Sequence, residues 1–259
     1  MNWEASGFFL FLFLEAGKVM THWMDFMKHI NRRIRGRVPS LAEGPVSLWA
    51  CPEGIKFFYR QSELTKNVGL SFAWKELDAW HDCSAWNQRI LKWTPYKLMI
   101  EKFSSNDRII FELLVKKESS FHCRIEASIS SSPAEMKVIF MLQGNYKHWI
   151  AGIHEGPFPA MKNWLRVGVP DPAPEIIGAH SESVSDLIPV LFSFKGAVHS
   201  LENSDAETGG RILAAACRSA VLPFMMEGDI RFFPSHEKWG KELHQIRVLF
   251  LSEKSSNKG

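Results

Sequence analysis

Phe121-His122-Cys123-Arg124-Ile125-Glu126-Ala127-Ser128-Ile129 alternates apolar and polar residues without a break. Side chains on a strand point to opposite faces at a period of two. The segment therefore reads as a β-strand with Phe121, Cys123, Ile125, Ala127 and Ile129 on a dry face and His122, Arg124, Glu126 and Ser128 on a wet one. Similar short runs extend from 96 to 153, separated by turn signals at 104–107, 118–120, 130–134 and 144–146. Loops this short join antiparallel neighbours, so the region predicts an antiparallel meander. In the run Met136, Val138, Phe140 and Leu142 the intervening Ile139 and Met141 are apolar too, which predicts a strand covered on both faces and at least one helix packed on the sheet.

Outside this region the period lengthens. Val19, Trp23, Phe26, Ile30 and Ile34 recur at steps of three and four opposite Asp25, Lys28, Asn31 and Arg35, predicting an amphipathic N-terminal helix over 16–34 that Gly36 and Pro39 end. Ala79, Cys83, Trp86, Ile90 and Trp93 predict a second helix over 75–93, closed by Pro95. Ser204 followed by Glu207 has the form of a capping box, opening a third helix that carries Ile212 to Leu222 as far as Pro223. A short helix at 236–243 and strands at 55–60, 68–74, 188–194, 229–233 and 245–251 complete the reading. The expected fold is α+β, an antiparallel β-meander packed with amphipathic helices and preceded by an N-terminal helix. Three portions are expected: an apolar segment and basic helix over 1–37, an antiparallel sheet with one helix over 38–167, and a smaller α/β portion over 168–259, in the same domain or a second one. Residues 38–54 read as a turn-rich connection, and the Pro- and Gly-rich stretch 154–183 as a long irregular loop.

The chain has 259 residues, 46% hydrophobic and 23% charged, which excludes the disordered and collagen-like classes. A net charge of +3 is too small to demand a nucleic-acid partner. It is unevenly spread, however: Lys28, Arg32, Arg33, Arg35 and Arg37 form an acid-free run suited to nucleic acid or an anionic membrane surface, or to offsetting a helix dipole. The 4 cysteines lie far apart and match no zinc spacing, so reduced thiols in the cytoplasm are expected, with no cofactor and no metal. The apolar run at 8–14 is about a third of the ~20 residues a membrane span needs and lacks the flanks of a secretory signal. It reads as a docking segment, a buried element, or an extension upstream of a start at Met20.

No phosphate loop, nucleophile motif or metal signature stands out. His81, Asp82 and Cys83 are adjacent and would diverge by about 100° on a helix, so they form no relay. His236 and His244, with Glu237, are too widely spaced on one helix to hold one ion. His148 and His154 join a site only through folding. Asp107, Glu126 and the pair Glu135 and Lys137 follow the order of a nuclease metal site. Residues 187–201 followed by Gly228-Asp229-Ile230-Arg231-Phe232-Phe233 resemble the strand, short loop and Gly-Asp strand of cytoplasmic-ring components of secretion and flagellar machines; the resemblance implies a cytoplasmic secretion-machinery component.

The leading expectation is a non-catalytic protein-binding or adaptor component of a multiprotein assembly. It rests on the 10 Trp residues and the apolar N-terminal run, with Phe9, Leu10, Phe11, Leu12, Trp23 and Phe26 as partner contacts. The first alternative is an enzyme of hydrolase or nuclease type whose site is assembled near the loop 154–183, with His154, Asp171 and His180 as its residues. A further alternative is a peripheral membrane-surface protein held through residues 8–37.

Overall fold

A computed structural model of the chain describes residues 38–131, 133–158, 175–181, 187–203, 210–217 and 223–256. The helix expected over 16–34, all the partner contacts and basic residues named above, Asp171, and the capping box at Ser204 lie outside these residues. In chain order the elements are β1 (Ser40–Glu43), β2 (Val46–Ala50), β3 (Ile55–Tyr59), β4 (Ser62–Glu63), β5 (Thr65–Glu76), β6 (Ala79–Asp82), β7 (Asn87–Thr94), β8 (Lys97–Phe103) and β9 (Arg108–Lys116). Then follow β10 (Ser120–Ser128), β11 (Glu135–Leu142), β12 (His148–Ala151), β13 (His154–Pro157), β14 (Ile177–His180), β15 (Val190–Phe194), β16 (Val198–Asn203), β17 (Arg211–Cys217), β18 (Phe224–Phe232) and one helix, α1 (His236–Ser256).

The deciding strand behaves as its alternation requires: Phe121, Cys123, Ile125 and Ala127 of β10 are all 0% exposed, while Arg124 opposite them is exposed. Hairpin pairing runs through β7, β8, β9 and β10, with one shift of register between Ile90 and Lys92 where β7 meets β8. The chain then leaves the meander. β11 pairs with β5 and β17 in a different sheet, and β10 takes β18 as its other neighbour. Two nine-stranded sheets result, the first in the order β1-β2-β3-β5-β11-β17-β16 with β4 and β6 alongside, the second in the order β13-β12-β14-β15-β18-β10-β9-β8-β7. Strands from before residue 158 and after residue 175 share both sheets. The inner faces pack on one another. At the centre Phe57 of the first sheet meets Phe121 and Phe232 of the second, with ring centroids 5.7 and 5.4 Å away, and Phe140 of its own sheet at 5.2 Å. Aromatic pairs at these separations add to the burial of apolar area that holds two sheets face to face.

The α+β expectation fails, because the described residues are almost entirely β. The helix expected over 75–93 is instead β6, a turn, and β7. β7 is the end strand of its sheet, so its residues are mostly exposed, and Trp86 and Ile90 fit against the core as a β-edge rather than a helical stripe. The apolar run at 211–217 is a strand between β11 and β16, where Ala214 and Ala215 are fully buried. The connection at 38–54 is a hairpin of β1 and β2 turning at Gly44, whose φ of 58° is a conformation glycine adopts without strain. The short helix and the strand expected at 236–243 and 245–251 are one helix, α1. Ser235 stands before it and Glu237 in its first turn favours the helix dipole. Its Trp239 and Ile246 pack with Ile150, Leu191 and Phe233 on the outer face of the second sheet.

Candidate active face of the second sheet

Antiparallel register aligns the outward residues of neighbouring strands. On the outer face of the second sheet, Leu114, His122, Asp229 and Ser193 share one row, and Glu112, Arg124 and Glu227 the next. At the centre Asp229 accepts a hydrogen bond across 2.9 Å from His122 Nδ1 and is paired with the Lys116 ammonium at 2.9 and 3.1 Å. Burial pushes the Asp229 carboxyl up, but the Lys116 and His122 hydrogen bonds and charges outweigh it, and the net position lies below the usual carboxylate range. An ionised carboxylate only accepts, so His122 Nδ1 carries a hydrogen and Nε2 is left to exchange a proton. Next along the face, Lys195 bonds the Glu227 carboxylate at 3.1 Å and holds it below its ordinary range. Lys97 and Glu112 pair at 2.5 Å. A carboxyl whose folded value is depressed contributes stability that is present above its unfolded range and lost as pH falls through the folded one. Asp229→Asn is therefore expected to flatten the acid limb of a stability-versus-pH curve measured by urea unfolding; an unchanged limb would show that the Lys116 and His122 pairing carries no folding energy.

A second group lies where α1 covers the same face. His148 and His180 are directly opposed in register on β12 and β14, with their rings stacked 5.0 Å apart. Glu155 of β13 bonds His180 Nε2 through one oxygen at 2.7 Å and Arg247 of α1 through the other at 3.1 Å. Trp239 lies 5.6 Å from the His180 ring. Together with the Arg231–Glu242 pair at 2.6 Å, these contacts clasp the helix to the sheet from its end strand β13 to its central strand β18.

The structure brings His148 and His180 together with Glu155, a grouping that neither the His148 and His154 pair nor the His154, Asp171 and His180 set read from sequence contained; His154 is exposed, and Asp171 lies outside the described residues. Cys83 is 1% exposed, its thiol pushed up by burial, while Asp82 caps the Ser84 amide at 2.7 Å and His81 stacks on Trp74; no relay forms. His236, Glu237 and His244 are exposed. Glu126 belongs to the second sheet and Glu135 and Lys137 to the first, where Lys137 lies over the Trp80 ring at 3.9 Å, so the nuclease order assembles nothing. Among the described residues no helix is long and apolar enough to cross a membrane.

No protein-family model matches the sequence. No curated protein matches it either. The fold is similar to that of an aldose epimerase (GalM) homologue from C. elegans, with a TM-score of 0.51 at 7% identity over 76% of this chain and 98% of that one. Weaker likenesses are to a kojibiose phosphorylase homologue from the human microbiome (TM-score 0.40, 11% identity, 85% of this chain and 33% of that one) and to a glycoside hydrolase family 81 enzyme from Clostridium thermocellum (0.35, 10%, 74% and 21%). The non-catalytic adaptor reading is corrected by the observed fold and its likeness to the aldose epimerase homologue. That reading rested on the Trp residues and the apolar N-terminal run and went with an expected helix-packed α+β fold, whereas the described residues fold as a two-sheet β-structure similar to that of the aldose epimerase homologue.

Proposed function

We propose that the protein is a carbohydrate-active enzyme that interconverts the anomers of free aldoses on the wet outer face of its second sheet. The observation that carries the reading is the His122–Asp229 pair at the middle of this face, beside the charged row of Glu112, Arg124 and Glu227, in a fold similar to that of an aldose epimerase homologue.

The chemistry needs a base at the anomeric hydroxyl and an acid at the ring oxygen. Glu227, held ionised by Lys195, takes the proton of the anomeric hydroxyl. His122, oriented by Asp229 through Nδ1, delivers a proton from Nε2 to the ring oxygen as the ring C–O bond breaks. The open-chain aldehyde turns about its C1–C2 bond and the two transfers run in reverse, so neither protons nor electrons are gained or lost. Glu227 lies diagonal to His122 in register, roughly 7 Å away by sheet spacing, which leaves room for the anomeric centre between them.

Polarimetry of freshly dissolved α-glucose, α-galactose and α-xylose tests the proposal. Acceleration proportional to protein is expected, and His122→Gln should lower it by about 100-fold. No acceleration with any of these sugars, or full activity in folded His122→Gln, overturns it.

A further inference from the structure

We infer that His148, Glu155 and His180 form a binding site for a divalent transition metal of the zinc class, separate from the central face. The ligand atoms of the three residues lie within 4.8 Å of one another. Donors around a tetrahedral zinc ion stand about 3.3 Å apart, given metal–nitrogen and metal–oxygen bonds of about 2.0–2.2 Å. The three side chains stand on consecutive strands, so closing that gap calls on side-chain rotation.

The surroundings fit a metal in three respects. β13, β12 and β14 are consecutive in the sheet, and direct register brings both imidazoles to the same face. The Glu155 oxygen that does not face His180 is held by Arg247, the arrangement in which an outer partner orients a carboxylate that ligates through its other oxygen. Trp239 packs against His180 and supplies an apolar wall that lowers the local dielectric. Two imidazoles and one carboxylate suit zinc and its neighbours rather than magnesium or calcium, which prefer all-oxygen shells. The described residues supply three ligands, the number found in zinc sites that keep a fourth position for water or an exogenous ligand.

The site is independent of the proposed sugar chemistry. Register places His180 two strands and four residues from Asp229, about 16 Å at ordinary sheet spacings. Loss of one function therefore leaves the other measurable.

Zinc titration of chelator-treated full-length protein, followed by calorimetry and by metal analysis after dialysis, tests the inference. One zinc per chain is expected, with no calcium or magnesium uptake. Binding should weaken by roughly 100-fold in His148→Ala and His180→Ala and by about 10-fold in Arg247→Met, which removes only the outer partner. Glu155→Gln, nearly isosteric, replaces any variant that circular dichroism shows to be misfolded. Affinity should fall on acidification, because protons compete for the ring nitrogens. Cobalt substitution reports the donors: a spectrum without thiolate charge-transfer bands supports the site, and thiolate bands place the ion on a cysteine and overturn it. Absence of stoichiometric zinc in the wild type, or its retention in folded His148→Ala and His180→Ala, overturns it as well.

Discussion

Replacing Phe57 by Ala is expected to cost about 4 kcal/mol of folding stability, a large share of the roughly 5–15 kcal/mol of a typical domain. The ring is 0% exposed and touches Phe121, Phe140 and Phe232 at once, so its removal opens a void lined by both sheets. Those walls belong to three different strands, β10, β11 and β18, each fixed by its own ladder, and they cannot collapse inward together. Phe57→Leu keeps most of the volume and should cost less than about 1.5 kcal/mol. Urea unfolding measures both. A loss under 1 kcal/mol in the Ala variant would mean that the cluster is not the seam between the sheets.

The second large effect is at Gly228. This residue lies on the inner face of β18, between Cys123 of β10 and Phe194 of β15. A Cβ there would fall on the Ser193 carbonyl and within 2.5 and 2.7 Å of two atoms of the Phe194 ring. The ring cannot move without uncovering the core, and the carbonyl is part of the ladder. Gly228→Val should therefore destabilise by about 3 kcal/mol or more, at the upper end of overpacking effects. Gly240 on α1 provides the contrast, since a Cβ there meets nothing within 4 Å; Gly240→Ala should be neutral or stabilise by up to about 1 kcal/mol. Equal urea midpoints for the two variants would show that the β15–β18 contact tolerates a side chain.

The sequence reveals some elements directly and conceals others. Phe121 to Ile129 is legible because one of its faces is dry and the other wet, and the period of two leaves no second reading. Ile212 to Cys217 lies in a central strand, apolar on both sides and rich in Ala, so periodicity cannot separate strand from helix. The segment Gln245 to Leu251 misleads in the other direction: its Ile, Val and Phe favour strands by propensity, yet it continues a helix whose Ile246 is buried against the sheet. At the candidate face His122 and Asp229 are both visible as strand residues, but 107 positions separate them, and only the pairing of β10 with β18 makes them neighbours. His148 and His180 were visible as histidines. Glu155 carried no signal of its own beyond its place in the Pro- and Gly-rich stretch.

The place of β18 at the middle of the second sheet also has a bearing on synthesis. β10 ends at Ser128 and β18 begins at Phe224, about a hundred residues later, and β15 awaits the same strand on its far side. Hairpins such as β9–β10 close in about 1–10 μs, whereas a ribosome adding about 5–20 residues per second needs roughly 5–20 s to deliver the missing strand. During that interval β10 carries an open strand edge, joined by that of β15 once Phe194 has been added, with the aromatic inner face beneath uncovered. Edges of this kind recruit other strands, so the emerging chain passes through a window in which shielding by a holdase, or slow neighbouring initiation on the same message, decides how much of it reaches the native pairing.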